Sequence, residues 1–167
     1  MRCDFDSMQE FRGGQSRSMR RPDQLKQVYR LQPHEEGGHF AESYTAPFEK
    51  DGRALSGSIY FLLDSEETSR FHEIDCDEVW YFHEGCGMRI IELKEGERKV
   101  HLLSSEQAMV VIPKGSIFAA ENLDPKGYTF VSCMTTPKFS YAGFRLVERE
   151  ELIEKYGGIL EKLKDWI

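Results

Sequence analysis

Short apolar runs separated by glycine-containing turns cover most of the chain between residues 53 and 146. Examples of the runs are SGSIYFLLD, MRIIEL and AMVVI, and the turns include Asp51-Gly52, Gly85-Cys86-Gly87 and Glu95-Gly96. Strands of this length and spacing, without helical crossovers between them, are typical of antiparallel sandwiches and barrels. The pattern therefore predicts an all-β, single-domain jelly-roll β-barrel with mainly antiparallel sheets.

Helical patterns are confined to the two ends of this strand-rich region. We expect a short helix over residues 23–29, capped at its N-terminus by the Asp23 carboxylate. In the tail, Gly157-Gly158 should separate two helices, because glycine weakens a helix interior. The second helix would have an apolar stripe of Ile159, Leu160, Leu163, Trp166 and Ile167. The expected division is an extension at 1–22, a barrel domain at 23–147 and a helical tail at 148–167.

Composition narrows the class of partner. The chain has 167 residues, of which 40% are hydrophobic and 12% aromatic, which fits one globular domain with a real core. Its formal net charge of −7 argues against nucleic acid, because a phosphate backbone needs a basic surface. The extension at 1–22 is mildly basic, with five arginines against three acidic residues, so the rest of the chain is acidic.

The four cysteines form no CxxC pair and no disulfide-dense framework. The sequence also shows neither a secretory signal nor an apolar run long enough to span a bilayer. We therefore expect reduced thiols, a cytoplasmic location and no membrane partner.

Candidate chemistry is concentrated in residues 70–85, RFHEIDCDEVWYFHEG. His72 and Glu78 are six positions apart and share a face if the stretch is extended, because alternate side chains of a strand lie on one face. Trp80 and Phe82 have the same parity. An imidazole, a carboxylate and two aromatic rings on one face suit a ligand cavity, whereas such a pair in isolation is more often a surface ion pair.

The block HEEGGHFAESY, residues 34–44, contains a second group of candidates. Glu42 and Tyr44 place an acid and a phenol on one strand face, which is either a pocket wall or a solvated edge strand. We predict both as ligand contacts. His34 and His39 are further candidates, although a lone histidine is more often hydrogen-bonded locally. The other predicted contacts are Tyr60, Phe118 and a cation, Arg70 or Arg53.

His72, Glu78 and Gly85 resemble the first motif of the cupin superfamily, which reads His-x-His, three or four residues, Glu, six residues, Gly. Ile74 stands in place of the second histidine. Six ordered blocks narrow the resemblance to the subfamily DUF985, or cupin type 5. They are LQPHEEGGHFAESY, SIYFLL, TSRFH, DEVWYFHEG, VIPKGSIFAAE and PKFSYAGF. The resemblance implies the same jelly-roll barrel as the strand pattern.

The second cupin motif, Pro-x-Gly, two residues, His, three residues, Asn, resembles Pro-Lys-Gly at 113–115 followed by Asn122. Phe118 replaces its histidine. Two further departures from the subfamily are Glu35, where we expect a proline, and Gly143, where we expect an aspartate. The departure at Gly143 removes any role of a carboxylate at that position.

In the metal-binding cupins, three histidines and one glutamate hold a divalent ion. Of the corresponding positions, only His72 and Glu78 have donor atoms here, because Ile74 and Phe118 offer no lone pairs. Two ligands do not hold a transition metal tightly. We therefore expect no metal cofactor at the usual site.

A site without metal ligands resembles that of the dTDP-sugar 3,5-epimerases, which are metal-free cupin-like barrels. In those enzymes a histidine removes a proton next to a ketone and a tyrosine returns one. By this analogy His72, paired with Glu78 or Glu42, would be the base and Tyr44 or Tyr60 the proton donor. We predict an epimerase- or isomerase-like enzyme acting on a sugar or a nucleotide sugar.

Two other functions remain open. The aromatic face would also suit a non-catalytic module that binds a nucleotide or a small carbohydrate. A metal-dependent cupin enzyme is the third possibility, which the missing ligands disfavour.

The expected assembly is a homodimer, because single cupins commonly pair through edge strands that would otherwise be open. Residues 1–22 or the C-terminal helices are the candidate contacts.

Overall fold

The computed structural model describes residues 19–160. In chain order the elements are α1 (Arg21–Tyr29), β1 (Gln32–Pro33), β2 (His39–Thr45), β3 (Glu49–Lys50), β4 (Arg53–Ala54), β5 (Gly57–Leu63), β6 (Thr68–Ile74), β7 (Asp77–Gly85), β8 (Met88–Lys94), β9 (Glu97–Leu103), β10 (Met109–Ile112), β11 (Ile117–Asn122), β12 (Thr129–Thr136), a 3-10 turn (Tyr141–Gly143), β13 (Phe144–Leu146) and α2 (Arg149–Leu160). None of the helices in this part of the chain is long and apolar enough to cross a membrane.

The strands form two main sheets in which the pairings are antiparallel. One sheet has the order β1-β2-β5-β12-β7-β10 and the other the order β13-β6-β11-β8-β9, while β3 and β4 form a separate hairpin. The predicted all-β, mainly antiparallel jelly-roll fold is confirmed. The two sheets face each other without closing into a continuous ring of strands.

Strand alternation decides which side chains enter the space between the sheets. In β7, Glu78 and Trp80 are buried, whereas Asp77, Tyr81 and His83 are exposed. The main core is built from both sheets and includes Phe61, Trp80, Met88, Ile90, Phe118 and Val131. A cavity in this fold is therefore lined by residues from more than one sheet.

Helix α1 begins at Arg21, two residues before its predicted start. Pro22 fits the first turn, because backbone N–H groups there have no acceptor within the helix and proline has no N–H. Arg20 occupies the N-cap position, and its side chain makes no capping bond. The predicted cap is wrong, since the Asp23 carboxylate instead accepts two hydrogen bonds of 3.0 Å from the Arg20 guanidinium. Residues 1–18 of the predicted extension lie outside the described residues.

Helix α2 runs from Arg149 to Leu160 without interruption, so the predicted break at Gly157-Gly158 is wrong. A glycine inside a helix costs only about 1 kcal/mol. Leu152 and Tyr156 anchor the turns of α2 before these glycines, because both side chains are buried in a core shared with the five-stranded sheet. The predicted second stripe of Ile159, Leu160, Leu163, Trp166 and Ile167 lies outside the described side chains.

Gly85, at the end of β7, marks a position where the fold has no room for a Cβ. Its φ is +113°, and a Cβ there would overlap the carbonyl oxygen of Tyr128. Gly96 also has a positive φ of +78°, but a Cβ there would meet nothing within 4 Å. A substitution at Gly96 therefore tests backbone strain alone, whereas one at Gly85 adds steric overlap to that strain.

We expect Gly85→Ala to lower the free energy of unfolding by about 3 kcal/mol or more, because alanine must adopt a disfavoured φ and displace a neighbouring backbone. Gly96→Ala should cost about 1 kcal/mol. Urea denaturation of both variants measures the difference. Equal losses would contradict the close backbone approach at Gly85.

Candidate functional site

A cavity of about 300 Å³ lies between the two sheets. It is lined by β2, β5, β6, β7 and β12 and by residues 138–141. Three buried titratable residues form its inner end, namely Glu36, His72 and Glu78. Its walls are mainly apolar, with Phe40, Ile59, Phe61 and Ile74, and Glu42 and Tyr141 lie at the exposed opening.

Hydrogen bonding determines the tautomer of His72, which is 2% exposed. Its Nδ1 lies 2.7 Å from the carbonyl oxygen of Arg70, and a carbonyl only accepts, so Nδ1 carries the proton and donates it. Burial lowers the pKa of His72, because an imidazolium is disfavoured away from water. The ring is therefore held neutral, with the lone pair of Nε2 directed at the neighbouring carboxyl group.

That neighbour is Glu36, in the loop between β1 and β2. Its Oε2 lies 3.2 Å from Nε2 of His72, and its Oε1 accepts a 2.8 Å hydrogen bond from the hydroxyl of Ser69. Burial raises the pKa of Glu36 to about 7. A protonated Glu36 can donate to the lone pair of Nε2, so the contact holds one proton between two buried groups.

Glu78 is the third titratable group at the inner end. Its Oε2 accepts a 3.0 Å hydrogen bond from the indole N–H of Trp80. Burial, and secondly the nearby charge of Glu36, raise the pKa of Glu78 to about 7. Burial also raises the pKa of the Cys133 thiol, which lines the same cavity. The inner end therefore favours neutral forms of acids and bases alike.

An ion pair lies at the opening of the cavity. The Nζ atom of Lys138 is 2.7 Å from Oε2 of Glu42 and donates to the hydroxyl of Thr45 at 2.6 Å. The hydrogen bond from Lys138 lowers the pKa of Glu42, so this carboxylate remains charged. The aliphatic part of Lys138 passes close over Gly57, where a Cβ would overlap it. The opening is thus polar, in contrast to the inner end.

Aromatic rings line one side of the cavity near this opening. The ring centroids of His34 and Phe40 are 4.8 Å apart in an edge-on arrangement, and those of Phe139 and Tyr141 are 5.1 Å apart. His34 also connects this wall to the inner end, because its Nδ1 accepts a hydrogen bond from the backbone N–H of Glu36 at 3.3 Å. Such a surface suits the apolar face of a ring-shaped ligand.

Four of the predicted site residues line the cavity, and they are Glu42, His72, Glu78 and Trp80. Phe118 supports the site from behind, because its ring centroid lies 4.1 Å from that of His72. His34, a further candidate, also lines the cavity, whereas Glu36, Lys138 and Tyr141 were not among the predicted contacts. All three lie in blocks that carry the subfamily resemblance, Glu36 in LQPHEEGGHFAESY and the other two in PKFSYAGF, but neither their type nor their spacing marks them as cavity residues.

Tyr44 does not line the cavity, because β2 contains a bulge. Glu42 pairs with Ile59 and Tyr44 with Ser58, so one extra residue lies between them and the parity changes. Tyr44 is consequently 52% exposed. Strand alternation therefore predicts the position of Glu42 correctly but not that of Tyr44, two residues later.

A second bulge, in β6, turns Arg70 away from the cavity. His72 pairs with Phe118, but Ser69 pairs with Ala120, so three positions in β6 face two in β11. Ser69 and His72 are both buried, and Arg70 is exposed and donates to the carbonyl oxygen of Glu35 at 2.5 Å. The predicted cation is therefore not in the lining.

Three other predicted contacts lie elsewhere. Tyr60 is on the opposite face of β5, where its ring centroid is 4.5 Å from that of Tyr29 in α1. His39 has the parity opposite to that of the β2 residues in the lining, and its Nδ1 is 3.4 Å from Oε1 of Glu67. Phe82 packs against the main core beyond Trp80. The alternative cation Arg53 is bound by Asp75 through two hydrogen bonds of 2.8 Å.

The departure at Gly143 has a local explanation. A Cβ at this position would overlap the carboxylate of Asp75, which Arg53 holds in place. The carboxylate near residue 143 therefore belongs to Asp75, in the connection between β6 and β7.

The residues at the inner end do not fit the metal site of the metal-binding cupins. Ile74 lines the cavity and Phe118 packs on the His72 ring, so apolar groups occupy two of the four ligand positions. Within residues 19–160 no three His, Cys, Asp or Glu side chains are arranged to hold one metal ion. The expectation of a metal-free site stays a prediction.

Comparisons with known proteins agree with the fold. A sequence profile described as Cupin superfamily (DUF985) matches residues 23–147. Protein SO0799 from Shewanella oneidensis is similar at 32% identity and a TM-score of 0.82, over 89% of this chain and 98% of that one. A hypothetical protein from Leishmania major is similar at 25% identity and a TM-score of 0.77, over 85% and 96%. A search among proteins of curated function finds no match.

Structures with lower sequence identity share the fold. A variant of oxalate decarboxylase from B. subtilis is 17% identical with a TM-score of 0.54, over 81% of this chain and 37% of that one. At this identity the likeness concerns the fold alone.

The raised pKa of Glu78 has a consequence for stability. The folded protein retains the Glu78 proton up to about pH 7, whereas the unfolded chain loses it near pH 4.5. The contribution of Glu78 is therefore fully present below pH 4.5 and is lost as the pH rises to about 7. Relative to wild type, the unfolding free energy of Glu78→Gln should increase by up to about 3 kcal/mol over this range.

Urea denaturation at several pH values measures this difference. The matched control is Glu154→Gln, which makes the same substitution on the exposed side of α2, away from the cavity. A pH-independent difference for Glu78→Gln would show that folding does not shift the pKa of the Glu78 carboxyl group, and would contradict the effect of burial.

Proposed function

The chain belongs to the cupin superfamily, in the family described as DUF985, and from this premise we propose that its cavity transfers a proton on a small sugar-like carbonyl compound without a metal. The observation that carries the proposal is the buried contact of 3.2 Å between Glu36 and His72. It combines a proton donor and a base in a largely apolar cavity. Enolisation needs a base at the C–H bond and an acid at the carbonyl oxygen.

In the proposed step, the carbonyl oxygen of the substrate takes the hydrogen bond of Glu36 in place of Nε2 of His72. The freed Nε2 then removes the proton from the carbon next to the carbonyl group. The electron pair of the broken C–H bond forms the C=C bond of an enol, and Glu36 donates its proton to the carbonyl oxygen. His72 becomes an imidazolium and Glu36 a carboxylate. Each charge is compensated by the other, which limits the cost of forming them in a buried site.

Glu78 is the proposed second acid–base group. Its pKa of about 7 gives it both protonation states near neutral pH, as a group that returns a proton must have. This assignment replaces Tyr44, which is outside the lining. Depending on which carbon receives the proton, the product is an isomer or an epimer.

The lining favours a free sugar over a nucleotide sugar. Among residues 19–160 the lining contains one lysine and no arginine, and that lysine, Lys138, is paired with Glu42. A diphosphate group needs several cationic or N–H donors. A volume of about 300 Å³ is at the lower end of the range for ligand cavities, which also favours a small ligand.

Hydrogen–deuterium exchange tests the proposed reaction. We expect wild-type protein in D2O to exchange the C–H proton next to the carbonyl in at least one member of a panel of aldoses, ketoses and small hydroxyketones, followed by proton NMR. His72→Asn and Glu36→Gln should each reduce the rate by about 100-fold or more, because one removes the base and the other the transferable proton.

The control is His83→Asn, because His83 is exposed on the outer face of β7. This variant should catalyse the exchange at the wild-type rate. Absence of exchange across the whole panel with wild-type protein would rule against the reaction. Unchanged exchange in His72→Asn would rule against the assigned base.

A second candidate function is binding without catalysis, which the aromatic side of the cavity favours. The rings of His34, Phe40, Phe139 and Tyr141 could hold a sugar ring or a nucleobase whether or not a proton moves.

Thermal shift measurements distinguish the two functions. A ligand of the cavity should raise the melting temperature in proportion to the logarithm of its concentration, and Tyr141→Ala should reduce that rise. Stabilisation of wild-type protein and of His72→Asn by the same sugar, without exchange in either, would favour binding alone. No stabilisation by any sugar or nucleotide would argue against this candidate.

A further inference from the structure

Three polar side chains at the opening of the cavity are bonded to one another. The Nζ atom of Lys138 is 2.7 Å from Oε2 of Glu42 and donates to the hydroxyl of Thr45 at 2.6 Å. That hydroxyl in turn donates to Oε1 of Glu42 at 2.9 Å. We refer to Glu42, Thr45 and Lys138 as the polar rim. The proposed proton transfer uses none of the three.

The polar rim has hydrogen-bonding capacity left for a ligand. An ammonium group has three N–H donors, and within residues 19–160 that of Lys138 uses two of them. A carboxylate has about four acceptor positions, and that of Glu42 uses two. The side chains of Glu42 and Lys138 are 59% and 29% exposed, so a ligand in the opening can reach both. A donor and an acceptor are therefore offered side by side.

A hydroxyl group matches this combination, because it donates and accepts at the same time. It can donate to the carboxylate of Glu42 while it accepts from the ammonium group of Lys138. A carboxylate or phosphate group of a ligand would instead meet the charge of Glu42, whose pKa is lowered by the hydrogen bond from Lys138. A cationic group would meet the charge of Lys138. The polar rim thus suits a neutral polyhydroxylated ligand.

Strand pairing sets the distance between the polar rim and the inner end of the cavity. Glu78, Thr135, Gly57 and Thr45 are paired in one row across β7, β12, β5 and β2. Three strand spacings, about 14 Å in all, therefore separate the backbones of Glu78 and Thr45. The stem of Lys138 passes over Gly57, one spacing closer to Glu78. Because the side chains at both ends line the cavity, a sugar of hexose length can contact both ends.

We propose that the polar rim binds the terminal hydroxyl group of a neutral hexose, the one on the carbon most distant from the carbonyl group. The orientation of the ligand rests on the proposed function, in which the carbonyl oxygen contacts Glu36. Glu42 and Lys138 then determine specificity, because a sugar without this hydroxyl group leaves both of them without a ligand partner. Thr45 is a positioning residue, since its hydroxyl bonds both charged side chains.

Pairs of sugars that differ in this one hydroxyl group test the proposal. The probes are D-glucose, D-galactose and D-fructose, each with its 6-deoxy counterpart, titrated against the full-length wild-type chain and followed by ligand-observed NMR. At least one hexose should bind, and its 6-deoxy counterpart should bind about tenfold or more weakly. Lys138→Met and Glu42→Gln should each reduce this preference to about threefold or less, because each removes one partner of the hydroxyl group.

The matched control is Lys155→Met, which removes an ion pair of the same length, 2.7 Å to Glu151, on α2 and outside the cavity lining. It should keep the full preference, and circular dichroism verifies that each variant folds. The proposal would be overturned by a wild-type chain that binds none of the hexoses or does not distinguish them from their 6-deoxy counterparts. A preference that survives in both rim variants would overturn it too. A preference for the hexose without hydrogen–deuterium exchange would count against the proposed reaction alone, and exchange without a preference against the polar rim alone.

Discussion

The contact between Glu36 and His72 is the interaction on which the functional account depends. Each residue alone would be a costly polar group in an apolar interior, and each satisfies the other at 3.2 Å. The carbonyl oxygen of Arg70 and the hydroxyl of Ser69 take up the remaining hydrogen bonds. One proton therefore stays between the two residues, and neither needs to be charged. In the proposed reaction, this arrangement supplies an acid and a base without a buried net charge.

Two local irregularities bring the pair together. The bulge in β6 allows Ser69 and His72 to be buried together, although they are three positions apart. The loop that carries Glu36 is pressed against β6, because Gly37 has a φ of +113° and no Cβ to overlap the carbonyl oxygen of Thr68. A 2.8 Å hydrogen bond from the N–H of Arg70 to the carbonyl oxygen of Glu36 joins the two segments. The contact between Glu36 and His72 therefore requires glycine at position 37.

The fold and part of the cavity lining followed from simple rules applied to the sequence. Parity within β7 correctly put Glu78 and Trp80 on one buried face, because that part of the strand is regular. The same rule failed for Tyr44, which follows a bulge that periodicity does not reveal. A second bulge leaves Arg70, a candidate chosen for its charge, outside the lining. Glu36 was missed for another reason. Its role depends on a loop folding back over a distant strand, which neither propensity nor spacing encodes.

The most direct test of the shared proton is nitrogen-15 NMR of the histidine rings as a function of pH. The account predicts that His72 remains neutral at pH 6, with the proton on Nδ1 and a hydrogen-bonded lone pair on Nε2, and that this signal changes in Glu36→Gln. An imidazolium at pH 6, or a proton on Nε2 instead of Nδ1, would contradict it.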